Sequence, residues 1–349
     1  MDEGCSLEHA QARAGIVGAS HSFKTAISLM MRYTSCNAPV LIVGESGTGK
    51  ELVARATHYL GSRRDKPFIP VNCGALPDAL IESELYGHAR GAFTDASRAR
   101  RGLVRQADGG TLFLDEVEAL TPRGQVTLLR FLQDASFRPV GEDQVQHANV
   151  RVIAASNTDL RELVQRGDFR ADLFFRLDVL RVELPPLRAR PDDLDLLVPH
   201  LLKKAARTTG GPPRSMSRAG FELLRAFAWP GNVRELEHTL LRAYLSSSGL
   251  CIEADALLAS APALAHGDAA AAGTVVASCS SLREAKRSAL RVIERRFVEE
   301  ALAMTNGNIS EAARLCDMQR ASLSKLAKKY AIRWPVCSNA ETTSREANP

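Results

Sequence analysis

Two clusters of residues in this 349-residue chain have the types and spacing that phosphate chemistry needs. Gly44-Glu45-Ser46-Gly47-Thr48-Gly49-Lys50 is a glycine-rich run of the form G-x-x-x-x-G-K. Its glycines let backbone N–H groups turn toward phosphate oxygens, and a helix starting directly after it adds the partial positive charge of its N-terminus. Lys50 brings a full charge to the β- and γ-phosphates. The second cluster is Asp115-Glu116, which follows the run Thr111-Leu112-Phe113-Leu114. An acidic pair at the carboxyl end of a buried strand lies in the crevice where α/β proteins bind ligands. Asp115 is suited to hold Mg2+ and Glu116 to polarise an attacking water. Glu51 occupies the place where the general pattern has Ser or Thr on the metal, so magnesium must lean on Asp115-Glu116 instead.

These residues need a scaffold that brings them together, and the apolar patterning supplies one. Val40–Val43, Phe68–Val71, Thr111–Leu114, Val150–Ala155 and Val179–Leu184 read as short, nearly continuous apolar strands separated by helical stretches, among them Glu51–Tyr59. That alternation is the mark of a parallel α/β sheet covered on both faces. Residues 15–186 form this α/β unit, after a short extension at 1–14. From 187 to 258 the strand signal gives way to Leu/Ala-rich helical periodicity. Residues 259–281 are rich in Ala, Gly and Ser with little charge, which predicts a flexible linker. Residues 282–334 are helical again, and the polar tail at 335–349 is expected to be disordered.

The net charge of +5 is unevenly spread, because residues 282–334 hold twelve Lys and Arg against six Asp and Glu. A locally basic unit points to an acidic polymer as partner. Within it, a long helix is expected over Leu282–Thr305, with Leu290, Ile293, Phe297 and Leu302 on its apolar face. Shorter helices follow at Ile309–Leu315 and Ala321–Tyr330, the first capped by Asn308. The seven cysteines are scattered without a CxxC pair, which argues against a zinc site or a disulfide framework and suits a reduced cytoplasm. No apolar run is long enough to span a membrane, and no signal peptide is evident.

Taken in order, the motifs resemble those of the bacterial enhancer-binding proteins that activate sigma-54 RNA polymerase. The resemblance is carried by Val43–Glu51, Glu84–Ala96, Gly102–Val117, Phe169–Leu177 and Trp229–Leu236. Most specific is Gly91-Ala92-Phe93-Thr94-Asp95-Ala96, which resembles the family's sigma-contacting loop GAFTGA, with Asp95 where that loop has glycine. The implied fold is an α/β P-loop AAA+ domain with a helical lid subdomain, followed by an all-α helix-turn-helix domain. The stretch Gly307–Arg314 resembles the factor-for-inversion (Fis) type of helix-turn-helix, with Cys316 and Met318 as departures in its turn.

That resemblance implies further roles. Asn72 is similar to the switch residue that holds the catalytic glutamate between turnovers, and Asn157 to the first sensor of the γ-phosphate. Arg170 and Arg176 resemble arginines acting in trans on a neighbouring subunit's nucleotide, and Arg234 resembles the second sensor, carried by the lid. A guanidinium suits this work because it delocalises charge across the phosphoryl-transfer transition state. Arg320, Ser322, Ser324, Lys325, Lys328 and Lys329 would face DNA. The implied protein is a cytoplasmic, nucleoid-associated ATPase using ATP and Mg2+. It would bind upstream DNA and sigma-54 RNA polymerase as a homo-oligomer, expected to be a hexameric ring. About fourteen residues precede the first motor motif, Gly15-Ile16-Val17-Gly18, against roughly 100 for a sensory domain. Control is therefore expected from a separate regulatory protein, from expression level, or from a related activator in a mixed ring that compensates for Asp95. Two other readings, a AAA+ motor on another protein and a DNA-binding regulator with a vestigial ATPase, are opposed by the Gly91–Ala96 loop and by the intact Lys50, Asp115, Glu116 and Arg176 respectively.

Overall fold

A computed structural model describes residues 15–92, 98–262, 264, 294, 298, 301–302, 305, 308–316 and 318–329. The chain forms two compact units, Met1–Gly267 and Asp268–Pro349, each taken by itself below.

The first unit is organised by a five-stranded parallel sheet of β1 (Val40–Val43), β2 (Phe68–Asn72), β3 (Thr111–Asp115), β4 (Arg151–Ser156) and β5 (Leu180–Glu183), in the order β2-β3-β4-β1-β5. Side chains alternate between faces along a strand, so a sheet covered on both sides needs apolar residues at successive positions. Leu41, Leu112, Leu114, Val152 and Ala154 enter one core, with α4 (Pro122–Asp134) and α6 (Ala171–Leu177), two of the helices traced below. Val40, Ile42, Phe113, Ile153 and Ala155 enter the other, against α1 (His21–Tyr33) and α2 (Lys50–Tyr59). Each Val, Leu, Ile or Phe side chain among these, fully removed from water, contributes about 1.5–3 kcal/mol. All strands expected from the apolar runs are present, with bounds shifted by a residue at most.

In chain order the helices of the α/β part continue with α3 (Ile81–Tyr86), α4, α5 (Leu160–Arg166) and α6. Two short antiparallel pairs interrupt this alternation: Gly87–His88 with Arg100–Arg101, and Ser136–Phe137 with Gln146–His147. A bridge between His88 and Val140 ties one to the other. They support the base of the Gly91–Ala96 segment, of which Gly91 and Ala92 are described and Phe93, Thr94, Asp95 and Ala96 lie outside the described residues.

Beyond β5 the chain makes α7 (Leu194–Thr209), α8 (Arg218–Ala226), α9 (Asn232–Ser246) and α10 (Ala254–Ser260). The expectation of an all-helical segment needs one correction: Ser215–Met216 pairs in parallel with Cys251–Ile252. Two-residue strands leave no periodic signal in sequence. Helix α10 also runs two residues past the expected end at 258, and Leu264 is buried, so the start of the expected linker is structured.

In the second unit, α11 (Ile309–Leu315) and α12 (Arg320–Lys329) pack through Ala312, Ala313, Leu323 and Ala327 onto Val298, Ala301 and Leu302. Asn308 caps α11, its Oδ1 accepting from the N–H groups of Ser310 at 3.1 Å and Glu311 at 3.3 Å. Of the expected apolar face on the preceding helix, Leu302 is in the core; Leu290, Ile293 and Phe297 lie outside the described residues. Cys316 and Met318, the departures in the turn, both pack against this core.

Candidate nucleotide site

The sheet order explains why residues far apart in sequence meet. Strand β4 lies between β1 and β3, so the phosphate loop after β1, Asn157 after β4 and Asp115-Glu116 at the end of β3 share one edge of the sheet. Asn72, the last residue of β2, pairs in register with Asp115. The loop, Asp115-Glu116 and Asn157 border a cavity of about 480 Å³ lined by Ser46–Val53, Asp115, Glu116, Asn157 and Arg234; Asn72 does not line it. The lining also holds the apolar Ile16, Phe23, Leu197 and Leu201, together with Arg190, His200, Lys204 and Glu237. A cleft that offers both charged and apolar groups suits a nucleotide, with its phosphates and its base.

Lys50 opens α2 and is 7% exposed. Its ammonium donates to the carbonyls of Gly44 at 2.6 Å and Glu45 at 3.0 Å, and to Asn157 Oδ1 at 2.6 Å. Burial holds its pKa below the ordinary lysine value, against the opposing pull of Asp115 and Glu118. Asp115 is half-buried, and burial pushes its carboxyl above the usual range despite Lys50 nearby. A carboxylate so desolvated fits a cation. Glu51, at the usual Ser/Thr position, is instead turned to Arg55, 2.8 Å away, and Thr48 Oγ1 donates to Glu45 O at 2.8 Å. Glu116 has φ of 55°, a left-handed conformation rare outside glycine and of the kind that collects at functional sites. A Cβ on Gly74 would stand 3.1 Å from Glu116 Oε2 and 3.3 Å from Asn72 Oδ1, so both side chains lie close to a glycine where any larger residue would crowd them.

The lid reaches this loop directly, and sequence reasoning identified only Arg234 of the contacts involved. Arg234 Nη1 donates to Ser46 Oγ at 3.1 Å. The fully buried Asn232 donates to Ser46 O at 3.0 Å and to Glu45 Oε2 at 3.2 Å, and accepts from Leu187 N at 2.7 Å. Val233 N donates to Gly47 O at 3.0 Å. Arg188 pairs with Glu45 at 2.5 Å; its hydrogen bonds chiefly hold that carboxyl below the ordinary value. Beside Phe23, Arg190 is 1% exposed, lies 4.4 Å over the ring and pairs with Asp193 at 3.6 Å. Asp193 in turn accepts from the N–H groups of Ala19 and Ser20, both at 2.7 Å, at the start of α1.

Arg170 and Arg176 do not line the cavity of their own chain. Arg170 precedes α6 and is tied to Asp172 at 2.8 Å. Arg176, in α6, is exposed beside Phe175, itself 72% exposed, and has no polar partner among the described residues. Of the residues expected to face DNA, Arg320, Ser322 and Lys325 are exposed on α12 and Ser324 is half-buried. Lys329 pairs with Glu294 at 2.9 Å, and the side chain of Lys328 lies outside the described residues. Among the described residues no group of His, Cys, Asp and Glu is arranged to hold a metal by itself, the four cysteines are free, and no helix is long and apolar enough to cross a membrane.

Comparison with known proteins agrees with this geometry. The sequence matches the Sigma-54 interaction domain over residues 16–183, the AAA+ ATPase lid domain over 188–272 and the Fis family of bacterial regulatory proteins over 289–330. The regulatory protein AtoC of Escherichia coli is 42% identical over 295 residues, covering 84% of this chain and 63% of its own length. ZraR of Salmonella typhi is 39% identical over 323 residues, covering 92% of this chain and 70% of its own. The Nif-specific regulatory protein of Azotobacter vinelandii is 45% identical over 240 residues, covering 69% of this chain and 46% of its own. The chain thus spans between about half and about two thirds of the length of such relatives. NtrX from Brucella abortus, solved in complex with ATP, superposes with a TM-score of 0.67 at 30% identity, covering 94% of this chain and 73% of that one. From its phosphate loop to its C-terminal helices, this chain belongs to the sigma-54-dependent transcriptional regulators, combining a AAA+ ATPase domain and lid with a Fis-type helix-turn-helix.

Proposed function

We propose that the chain binds upstream DNA and uses ATP hydrolysis to convert the closed sigma-54 RNA polymerase complex into the open one. The observation that carries this reading is the convergence of Lys50, Asp115, Glu116 and Asn157 on one cavity. In this reading the loop N–H groups and Lys50 bind the phosphates, and Asn157 senses the terminal one. Glu116 polarises the attacking water from its left-handed turn, and Asn72 restrains it between turnovers. Asp115 would hold Mg2+, whose charge would offset that of the phosphate oxygens.

A guanidinium from a neighbouring subunit completes the site, which makes the working form an oligomer, by family resemblance a hexameric ring. Arg176 suits the principal role, since it is exposed and uncommitted while Arg170 is held by Asp172. Arg234 reports nucleotide to the lid. Gly91–Ala96 contacts sigma-54, and α12 presents Arg320, Ser322, Ser324, Lys325, Lys328 and Lys329 to DNA, Arg reading base edges and Lys mainly meeting phosphate.

Transcription from a sigma-54 promoter in vitro tests the reading. Open complexes should form with ATP and fail with a non-hydrolysable analogue. ATP turnover without any effect on the closed complex would favour a motor acting on another protein. The charge at Asp95 bears on the same assay. Asp95→Gly should leave ATPase activity within about twofold, since neither Gly91 nor Ala92 of the same loop lines the nucleotide cavity, while changing open-complex yield. An unchanged yield, alone and with related activators mixed in, would make Asp95 a neutral variant and remove the case for a mixed ring.

A further inference from the structure

Glu118 lies three residues beyond Asp115, in the short 3-10 turn Val117–Ala119 that follows Glu116. Its Oε1 accepts from the backbone N–H of Asn157 at 3.0 Å, a contact across 39 residues that joins the turn after β3 to the end of β4. Its Oε2 is buried with no hydrogen-bond partner among the described residues. Solvent could satisfy both oxygens of a surface carboxylate. One held with an oxygen dry is placed by geometry, and a buried bare acceptor asks for an explanation. The bond to Asn157 is charge-assisted, stronger than one between neutral groups.

Asn157 is held from both sides. Its backbone N–H is on Glu118, and its side-chain Oδ1 accepts from Lys50 Nζ at 2.6 Å. Glu118 is covalently two residues from Glu116, whose carbonyl oxygen accepts from Ala119 N at 2.9 Å to close the same turn. An unbroken path therefore runs from Lys50 through the Asn157 side chain and backbone to Glu118, and along one tight turn to Glu116. Lys50, Asn157 and Glu116 all line the cavity.

We propose that Glu118 is a positioning residue that fixes Glu116 relative to Asn157, so that contact with the terminal phosphate sets the reach of the catalytic glutamate. The inference rests on the ATPase reading above. Glu118 is absent from the cavity lining and works through its two neighbours. Its role depends first on the reach of its acceptor oxygen to the Asn157 N–H, the charge that strengthens that bond coming second. This orders three substitutions. Glu118→Gln keeps a side-chain oxygen at the same distance for the Asn157 N–H. Glu118→Asp keeps the charge and withdraws the oxygen by one methylene. Glu118→Ala removes the acceptor.

The experiment is steady-state ATP hydrolysis alongside equilibrium binding of a fluorescent ATP analogue, with thermal melting as a check on folding. Glu118→Ala and Glu118→Asp should lower kcat by about tenfold to a hundredfold, the cost of misplacing a catalytic group by an ångström or less. Nucleotide affinity should stay within about twofold, since Lys50 and the phosphate loop are intact, and Glu118→Gln should recover most of kcat. Glu118→Asp guards against an alanine variant that does not fold. The proposal is overturned if Glu118→Asp turns over at the wild-type rate, if Glu118→Gln is as slow as Glu118→Asp, or if affinity falls in step with kcat. A wild-type chain that binds ATP and never hydrolyses it would overturn the ATPase reading itself, and this proposal with it.

Discussion

Lys50 and Lys325 carry the same ammonium group in opposite settings. Lys50 is buried and donates to three acceptors from two different strand ends. Lys325 is exposed on α12 with no partner among the described residues. Around Lys50 the polar groups hold one another, through Asn157, Glu118, Ser46 and the lid. Around Lys325 they face water. A site whose members position one another loses much when any one is removed, because the others are left misplaced or unpaired. A solvated basic surface loses roughly one phosphate contact at a time.

This contrast can be broken at its steep end first. Arg176→Ala should lower ATP turnover on the order of a thousandfold, as removing a trans arginine does elsewhere, while Arg170→Ala costs far less because Arg170 is already spent on Asp172. Mixing Arg176→Ala with Lys50→Ala subunits should restore part of the activity, measured as phosphate release. No recovery after confirmed co-assembly would place Arg176 outside the neighbour's site. Next, Lys50→Ala should weaken ATP binding on the order of 100-fold by fluorescence titration, as loss of several charge-assisted bonds requires. Glu116→Gln should bind normally and not turn over.

The phosphate loop, the five strands and Asp115-Glu116 were legible in the sequence because each is local. A glycine pattern, an apolar run or an acidic pair is written in neighbouring residues. Glu118 was read only as part of the chain between motifs, since its meaning lies in a bond to Asn157, 39 residues away. Asn232 and Arg188 were missed for the same reason, their partners Glu45 and Ser46 standing on the other side of the domain's sequence. The buried Arg190–Asp193 pair left no signal either, because charged residues in a Pro-flanked stretch read as surface. The choice between Arg170 and Arg176 was open in sequence; the proposal for Arg176 rests on the exposed ion pair that Arg170 makes with Asp172. The position of Asp95 stays an inference from sequence, as it lies outside the described residues.

The shallow end of the comparison predicts graded effects. Lys325→Ala should weaken DNA binding uniformly across sequences and reduce the log–log salt slope by about one unit. Lys329→Ala should change it less, because Glu294 already neutralises Lys329. Equal slopes for the two variants would mean that the Glu294 pair opens on DNA.

The smallest effect concerns stability. The Asp115 carboxyl has a raised folded-state pKa, so its contribution to stability is intact below the unfolded carboxyl's value and is lost as pH rises through the folded one. At neutral pH the ionised group therefore opposes folding. Asp115→Asn should raise the unfolding free energy of the nucleotide-free chain slightly, by under about 1 kcal/mol after solvent screening, while ending hydrolysis. Urea unfolding at neutral and acidic pH checks this, the gain shrinking as pH falls. A destabilised Asp115→Asn at neutral pH would show that burial is not what sets this carboxyl.

A Cβ on Gly47 would stand 2.2 Å from the carbonyl oxygen of Gly231, with φ of 79° already excluding most side chains. The phosphate loop and the lid are thus fitted to each other at backbone resolution. The linear sequence suggests a seam near residue 187, where a helical lid from another motor might seem ready to be grafted. The fitted surfaces say otherwise. A loop with any side chain at Gly47's place would collide with the Gly231 carbonyl, and a foreign lid with a shifted Asn232 would leave Glu45 and Ser46 without a donor. The smallest interchangeable part is loop and lid together, even though Ser46 and Asn232 stand 186 residues apart.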